Sequence, residues 1–193
     1  MRVWCSVAAA VAAAGCVVPA SGQVVLGSVD LFWGFAAETT EPSLLMGFGV
    51  IADNETSLPE YRLFAVDQVL ISAADVGTTW TAPADVTAQI RAHLGDDDLD
   101  DALGFYAYLG GDMGIAGRVM EGDLLNDLDM GLISQQADEL RVTLLMWNPQ
   151  PASQPGWTSF LFRVRYEFVS TVPAPGAGAL LGAAGVLAAR RRR

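Results

Sequence analysis

From Val24 to Thr171 the apolar residues come in short runs broken by Gly, Pro, Asp and Asn. Runs of that length read as strands rather than helices. The clearest is the last, WTSFLFRVRYEFV, in which Phe160, Phe162, Val164, Tyr166 and Phe168 alternate with Leu161, Arg163, Arg165 and Glu167. Period two puts the aromatic set on one face and the charged set on the other, as in a half-buried antiparallel strand. VDLFWGFAAE, LLMGFGVIAD, YRLFAVDQVLIS, GFYAYL and ELRVTLLMW read as further strands. Only PADVTAQIRAHLG breaks the rule. It carries Val86, Ile90 and Leu94 at helical spacing, with Pro83 before and Gly95 after, which predicts one short amphipathic helix. Many strands, one helix and frequent turns point to a mainly β body, an antiparallel two-sheet sandwich of jelly-roll type. NPQPASQPG, from Asn148 to Gly156, reads as a long hairpin loop between the last two strands.

Charge sharpens this picture. The chain of 193 residues has no lysine, and its 11 basic residues are all arginine. Arg2 and Arg190 to Arg193 lie near the ends, whereas all 22 acidic residues lie between them. The body therefore holds 6 basic against 22 acidic residues, a net charge of −16 rather than the −11 of the whole chain. Such a body repels phosphate backbones and anionic lipid, which excludes nucleic acid as a partner. It fits an exported protein that meets water, cations or neutral glycans.

The ends have a different composition. MRVWCSVAAAVAAAGCVVPASGQ opens on Arg2, runs through a short apolar stretch and closes on small residues. That is the layout of a secretory signal peptide over residues 1–22, cut near Ala20 to Gly22 by signal peptidase. A rival reading is lipidation at Cys16, because AAGC approximates a bacterial lipobox, although Ala13 stands where a large aliphatic residue belongs. Both cysteines, Cys5 and Cys16, fall in this segment, so a processed chain has neither disulfide framework nor thiolate chemistry. At the other end Gly176 to Ala189 is an uncharged stretch of 14 residues, followed by four arginines. As a helix it reaches about 21 Å against a hydrocarbon core of about 30 Å. The arginines stop transfer and hold the terminus on the cytoplasmic side.

The order Pro-x-Pro, Gly/Ala/Leu stretch, Arg cluster over residues 172–193 resembles the PEP-CTERM sorting signal of Gram-negative and related bacteria. Here the motif is Pro173-Ala174-Pro175 in place of the usual Pro-Glu-Pro, and the cluster is Arg190, Arg191, Arg192 and Arg193. The resemblance implies an exosortase-type membrane peptidase that cleaves near the prolines. It also implies transient inner-membrane association, then release to the cell surface or extracellular matrix. Ile71 to Asp101 resembles the body of many such cargo proteins. In those a strand and an Ala-Asp-Val-Gly turn precede a Thr-rich strand, a short helix and an Asp-rich loop.

Candidate chemistry is sparse. In GDDDLDD, Asp96, Asp98 and Asp100 have the spacing that wraps oxygen ligands around Ca²⁺, but the Gly and Glu that an EF-hand needs are Asp101 and Ala107. The choice lies between a solvated loop and a calcium site. DLLNDLDMG, with Asp123, Asp127 and Asp129, is a second, thinner acidic group. His93 is the only histidine, so zinc catalysis has no ligand set, and no G-x-S-x-G elbow supports a serine triad. Lack of lysine removes a P-loop and any Schiff-base mechanism. GFGVIA at Gly47 opens no helix and is no dinucleotide loop. Of the tryptophans, Trp157 flanks the proline-rich run and is the one expected at the surface, where an indole can stack on a sugar ring. No cofactor is expected beyond Ca²⁺. The expectation is an exported, sorted, non-enzymatic body at residues 23–171. The alternative is a carbohydrate-binding module for matrix polysaccharide.

Overall fold

The alternating runs do form strands, and they pair into two sheets. The computed structural model describes residues 23–53, 61–94, 100–109, 112–120 and 128–171. Residues 1–22 with Cys5 and Cys16, the acidic residues Asp96, Asp98, Asp123 and Asp127, and the chain from Val172 onward lie outside the described residues. Strands β1 (Val24–Ala37), β2 (Leu44–Asp53) and β3 (Tyr61–Ile71) come first, then a three-residue β4 (Thr79–Thr81) and helix α1 (Ala84–His93). After them come β5 (Asp100–Leu109), β6 (Asp112–Met120), a second helix α2 (Met130–Gln136), β7 (Glu139–Pro151) and β8 (Thr158–Ser170). Among these no helix is long and apolar enough to cross a membrane.

One sheet has the order β1-β8-β7-β4 and the other β3-β2-β5-β6, with every pairing antiparallel. The sheets face each other over a shared core. Phe162 and Val164 of β8 are fully buried, as the alternation requires, and so are Phe48 and Phe105 on the opposite sheet. Ring centroids of Phe105 and Phe162 are 4.8 Å apart and perpendicular, and those of Trp33 and Phe105 are 5.0 Å apart. Such offset and edge-on contacts are the favoured geometry for aromatic pairs. Tyr166 crosses the gap, its hydroxyl donating to the Gly104 carbonyl at 2.7 Å. Burial raises its pKa far above the usual tyrosine range, so the phenol stays neutral.

Three features depart from the sequence expectation. The wiring is not that of a jelly roll, whose hairpins pass between sheets. Here β2–β3, β5–β6 and β7–β8 each stay within one sheet. The short connections explain this, since two residues between β5 and β6 reach only an antiparallel neighbour. Second, the described residues hold another α-helix besides the expected one. Asp129, expected in a surface acidic group, is the N-cap of α2 and accepts from Leu132 N at 2.9 Å. Third, β7 continues through Pro151, which shortens the expected loop from Asn148 to Gly156 down to residues 152–157.

The region after β3 follows its sequence cues more closely. Ser72 and Asp75 close a capping box around the turn Ala73–Asp75, and Gly77, at φ +91°, lets the chain double back beside β7. Strand β4 and α1 follow. On α1, Ile90 is buried and Val86 packs against the core, with Leu94 just past the helix end also buried. Arg91 donates to the Ala137 carbonyl at the C-terminus of α2 at 2.7 Å, where a cation suits the helix dipole.

Candidate functional site

A groove opens where the β7–β8 hairpin meets the β1–β2 connection. Its volume is about 350 Å³, within the range of small-ligand sites. Pro149, Gln150 and Pro151 of β7 form one wall, Gln154 and Trp157 the hairpin tip, and Thr40 and Pro42 the opposite wall.

The sequence builds this place for identifiable reasons. Strand β4 pairs only with Arg141 to Thr143, so beyond that point β7 is a sheet edge. There Pro149 and Pro151 are tolerated, because a proline without N–H can face away from a neighbour. Gly156 adopts φ +80°, a conformation that glycine takes without strain, and turns the chain so that Trp157 follows. Ala152 N donates to the Trp157 carbonyl at 2.9 Å, and Trp157 N donates to the Gln154 carbonyl at 3.1 Å. Two long-range bonds fix the far wall. Trp147 Nε1 donates to the Pro42 carbonyl at 2.9 Å, and Thr158 Oγ1 donates to the Thr39 carbonyl at 2.7 Å.

Trp157 is half-buried along this groove, while Trp33 and Trp147 are buried in the core and Trp80 stacks on Phe48. No second aromatic ring lines the groove among the described residues, and no charged side chain does so either. An indole face beside amide and hydroxyl groups suits a neutral, hydroxyl-rich ligand.

The other polar constellation is Asp30 on β1, whose side chain is 4 % exposed and lies between Arg163 and Arg165 of β8. Arg165 binds it with two nitrogens, at 2.6 Å and 2.9 Å, and Arg163 completes the pairing. The Arg165 hydrogen bond, together with Arg163, holds the Asp30 carboxyl below the usual carboxylate range against the opposing effect of burial. A carboxylate kept ionised in this way is a structural ion pair and not a general acid.

The remaining expectations separate cleanly. Asp100 heads β5 and is in register with Asp53 of β2, while Asp96 and Asp98 lie outside the described residues. No group of three metal-ligating side chains stands together among the described residues. His93 is the last residue of α1 and half-buried. Pro173, Ala174, Pro175 and Arg190 to Arg193 lie outside the described residues. Trp157, expected at the surface, lines the groove half-buried, and Thr40 and Pro42 reach it only through the fold. Comparison of the chain with protein-family models, curated proteins and solved structures gives no match.

Proposed function

We propose that this chain is an exported, C-terminally sorted protein of the cell surface or extracellular matrix, with a non-enzymatic β-sandwich body. The observation that carries the reading is the sequence from Val172 to Arg193: a Pro-x-Pro motif, an uncharged stretch of 14 residues and four arginines. The apolar stretch is short and rich in Gly and Ala, so it gains little from burial in lipid and makes a poor permanent anchor. The arginines prevent it from being pulled through. It pauses the protein at the inner membrane for an exosortase-type peptidase, after signal peptidase has acted at the other end. A body with no lysine, one histidine and no cysteine beyond the signal segment supports the non-enzymatic part. C-terminal peptide mapping of the surface-exposed protein tests the reading. Loss of Gly176 to Arg193 is expected, and a surface form that retains Arg193 would make the tail an anchor.

A second reading is favoured by the groove. An uncharged cleft with one indole, on a body of net charge −16, fits neutral matrix polysaccharide better than an acidic one. Calcium bound by Asp96, Asp98 and Asp100 belongs to the same reading as a cofactor. Trp157→Ala should weaken retention on an insoluble neutral polysaccharide about tenfold, the scale of one lost aromatic contact, while thermal unfolding stays unchanged. Equal retention of both proteins would sink the glycan reading and leave the sorting reading intact.

A further inference from the structure

We infer that the free edge of β1 pairs with β1 of a second copy, joining two four-stranded sheets into one of eight across a two-fold axis. Strand β1 ends its sheet, and no strand among the described residues pairs with its other side. At 14 residues it is also the longest strand. An open edge is a row of unpaired donors and acceptors, and proteins blunt such edges with short strands, bulges, prolines or charges.

The other edges follow that rule, and β6, which ends the second sheet, has a register irregularity opposite Ala107 and Tyr108. Strand β4 has three residues. Strand β7, where it runs past β4, carries Pro149 and Pro151. Strand β3 has two register irregularities against β2 and holds Gln68 at φ 50°. On β1 the one irregularity lies between Val25 and Gly27, at its start, where α2 also approaches. Residues 28–37 then run in unbroken register with β8. They include no proline, and their one charge is Asp30, already matched by Arg163 and Arg165.

Charge and symmetry select a second copy as the occupant. Elsewhere an acidic body repels its own kind, but this strand presents no unmatched charge. An antiparallel pair centred on Phe32 sets Asp30 opposite Gly34 of the other copy and Ser28 opposite Ala36. No like charges then meet across the ladder. Phe32, half-buried on the outer face, meets its own copy on the axis. Such an interface is isologous and closes at two, so it does not propagate into a fibre.

The inference depends on neither the groove nor the tail. Sedimentation of the exported protein across a concentration series tests it, with Phe32→Cys alone and Ser28→Cys mixed with Ala36→Cys as cross-linking variants and Leu70→Cys on β3 as control. Wild type sets the baseline for Cys5 and Cys16. A species of twice the monomer mass is expected, and it should strengthen with added salt because screening weakens the repulsion between bodies. At least one β1 variant, Phe32→Cys foremost, should give a disulfide-linked dimer, since Cβ atoms of facing residues come within reach. Leu70→Cys, 61 % exposed, should not. A monomer at every concentration and salt would overturn the pairing. So would a dimer that cross-links through Leu70→Cys and through no β1 position.

Discussion

Asp30 carries the most consequential single charge in the described structure. Its carboxylate is nearly removed from water and survives there because Arg163 and Arg165 reach it from the neighbouring strand. Its pKa is lower in the folded chain than in the unfolded one, where a carboxyl titrates near about 3.9. The unfolded chain therefore takes up the proton first as pH falls. The stabilisation is complete above the unfolded value and is lost as pH drops through the folded one. Asp30→Asn should cost about 1–2 kcal/mol at neutral pH, between the about 0–1 kcal/mol of an exposed pair and the about 3–5 kcal/mol of a broken buried one, because both arginines keep access to water. Urea unfolding of wild type and variant should converge below pH 3, and a constant gap down to that pH would contradict the ion-pair account. Gly49 makes a different point at the same scale. GFGVIA is unfit for a phosphate loop, and its glycines answer a packing demand. A Cβ on Gly49 would lie 2.2 Å from the Leu63 carbonyl oxygen and 2.7 Å from Phe64 Cα, and one on Gly47 would press on the Phe64 ring. Close approach of β3 to β2 requires glycine there, and no local pattern distinguishes that need from a ligand loop.

Among the elements, those with a clear period or clear turn residues at both ends were legible and those without were not. Strand β8 shows its inward set as Phe160, Phe162, Val164, Tyr166 and Phe168, all buried, with Arg163 and Arg165 on the other face. LLMGFGVIAD matches β2 to the residue because turn-forming residues bound it on both sides. Strand β6, DMGIAGRVM, escaped because Gly114 and Gly117 remove the side chains that would have marked a face. Helix α2 escaped for a thermodynamic reason. Seven residues including Gly131 do not hold a helix alone, so it exists through its Asp129 cap, the Arg91 guanidinium at its end and the burial of Ile133. Only one of those three supports is local in sequence. The same limit applied to the groove. The indole and prolines of one hairpin could be read along the chain, but the wall at Thr40 and Pro42 is held by Trp147 and Thr158, more than a hundred residues away.

At the scale of the whole molecule the governing quantity is charge. Six arginines against 22 carboxylates leave most acidic groups without a partner, so the folded body strains against its own field. Monovalent salt shortens the screening length from about 30 Å at 0.01 M to about 10 Å at 0.1 M. It also weakens ion pairs, but the described body offers few of them, and the Asp30 pairing is shielded by burial. Relief of repulsion should win. The melting temperature is expected to rise by a few degrees between 0.01 M and 0.5 M NaCl, read at a protein concentration where only monomer sediments. A flat or falling melting temperature would show that the acidic residues are spaced too widely to oppose folding. The same titration decides between the two readings of GDDDLDD, because sodium screens every carboxylate alike whereas a coordinated ion stabilises by occupancy of one site. Calcium chloride at matched ionic strength should raise the melting temperature no further if the loop is merely solvated. An additional rise that saturates, and that Asp98→Asn abolishes, would assign Ca²⁺ to Asp96, Asp98 and Asp100, of which Asp100 pairs in backbone register with Asp53.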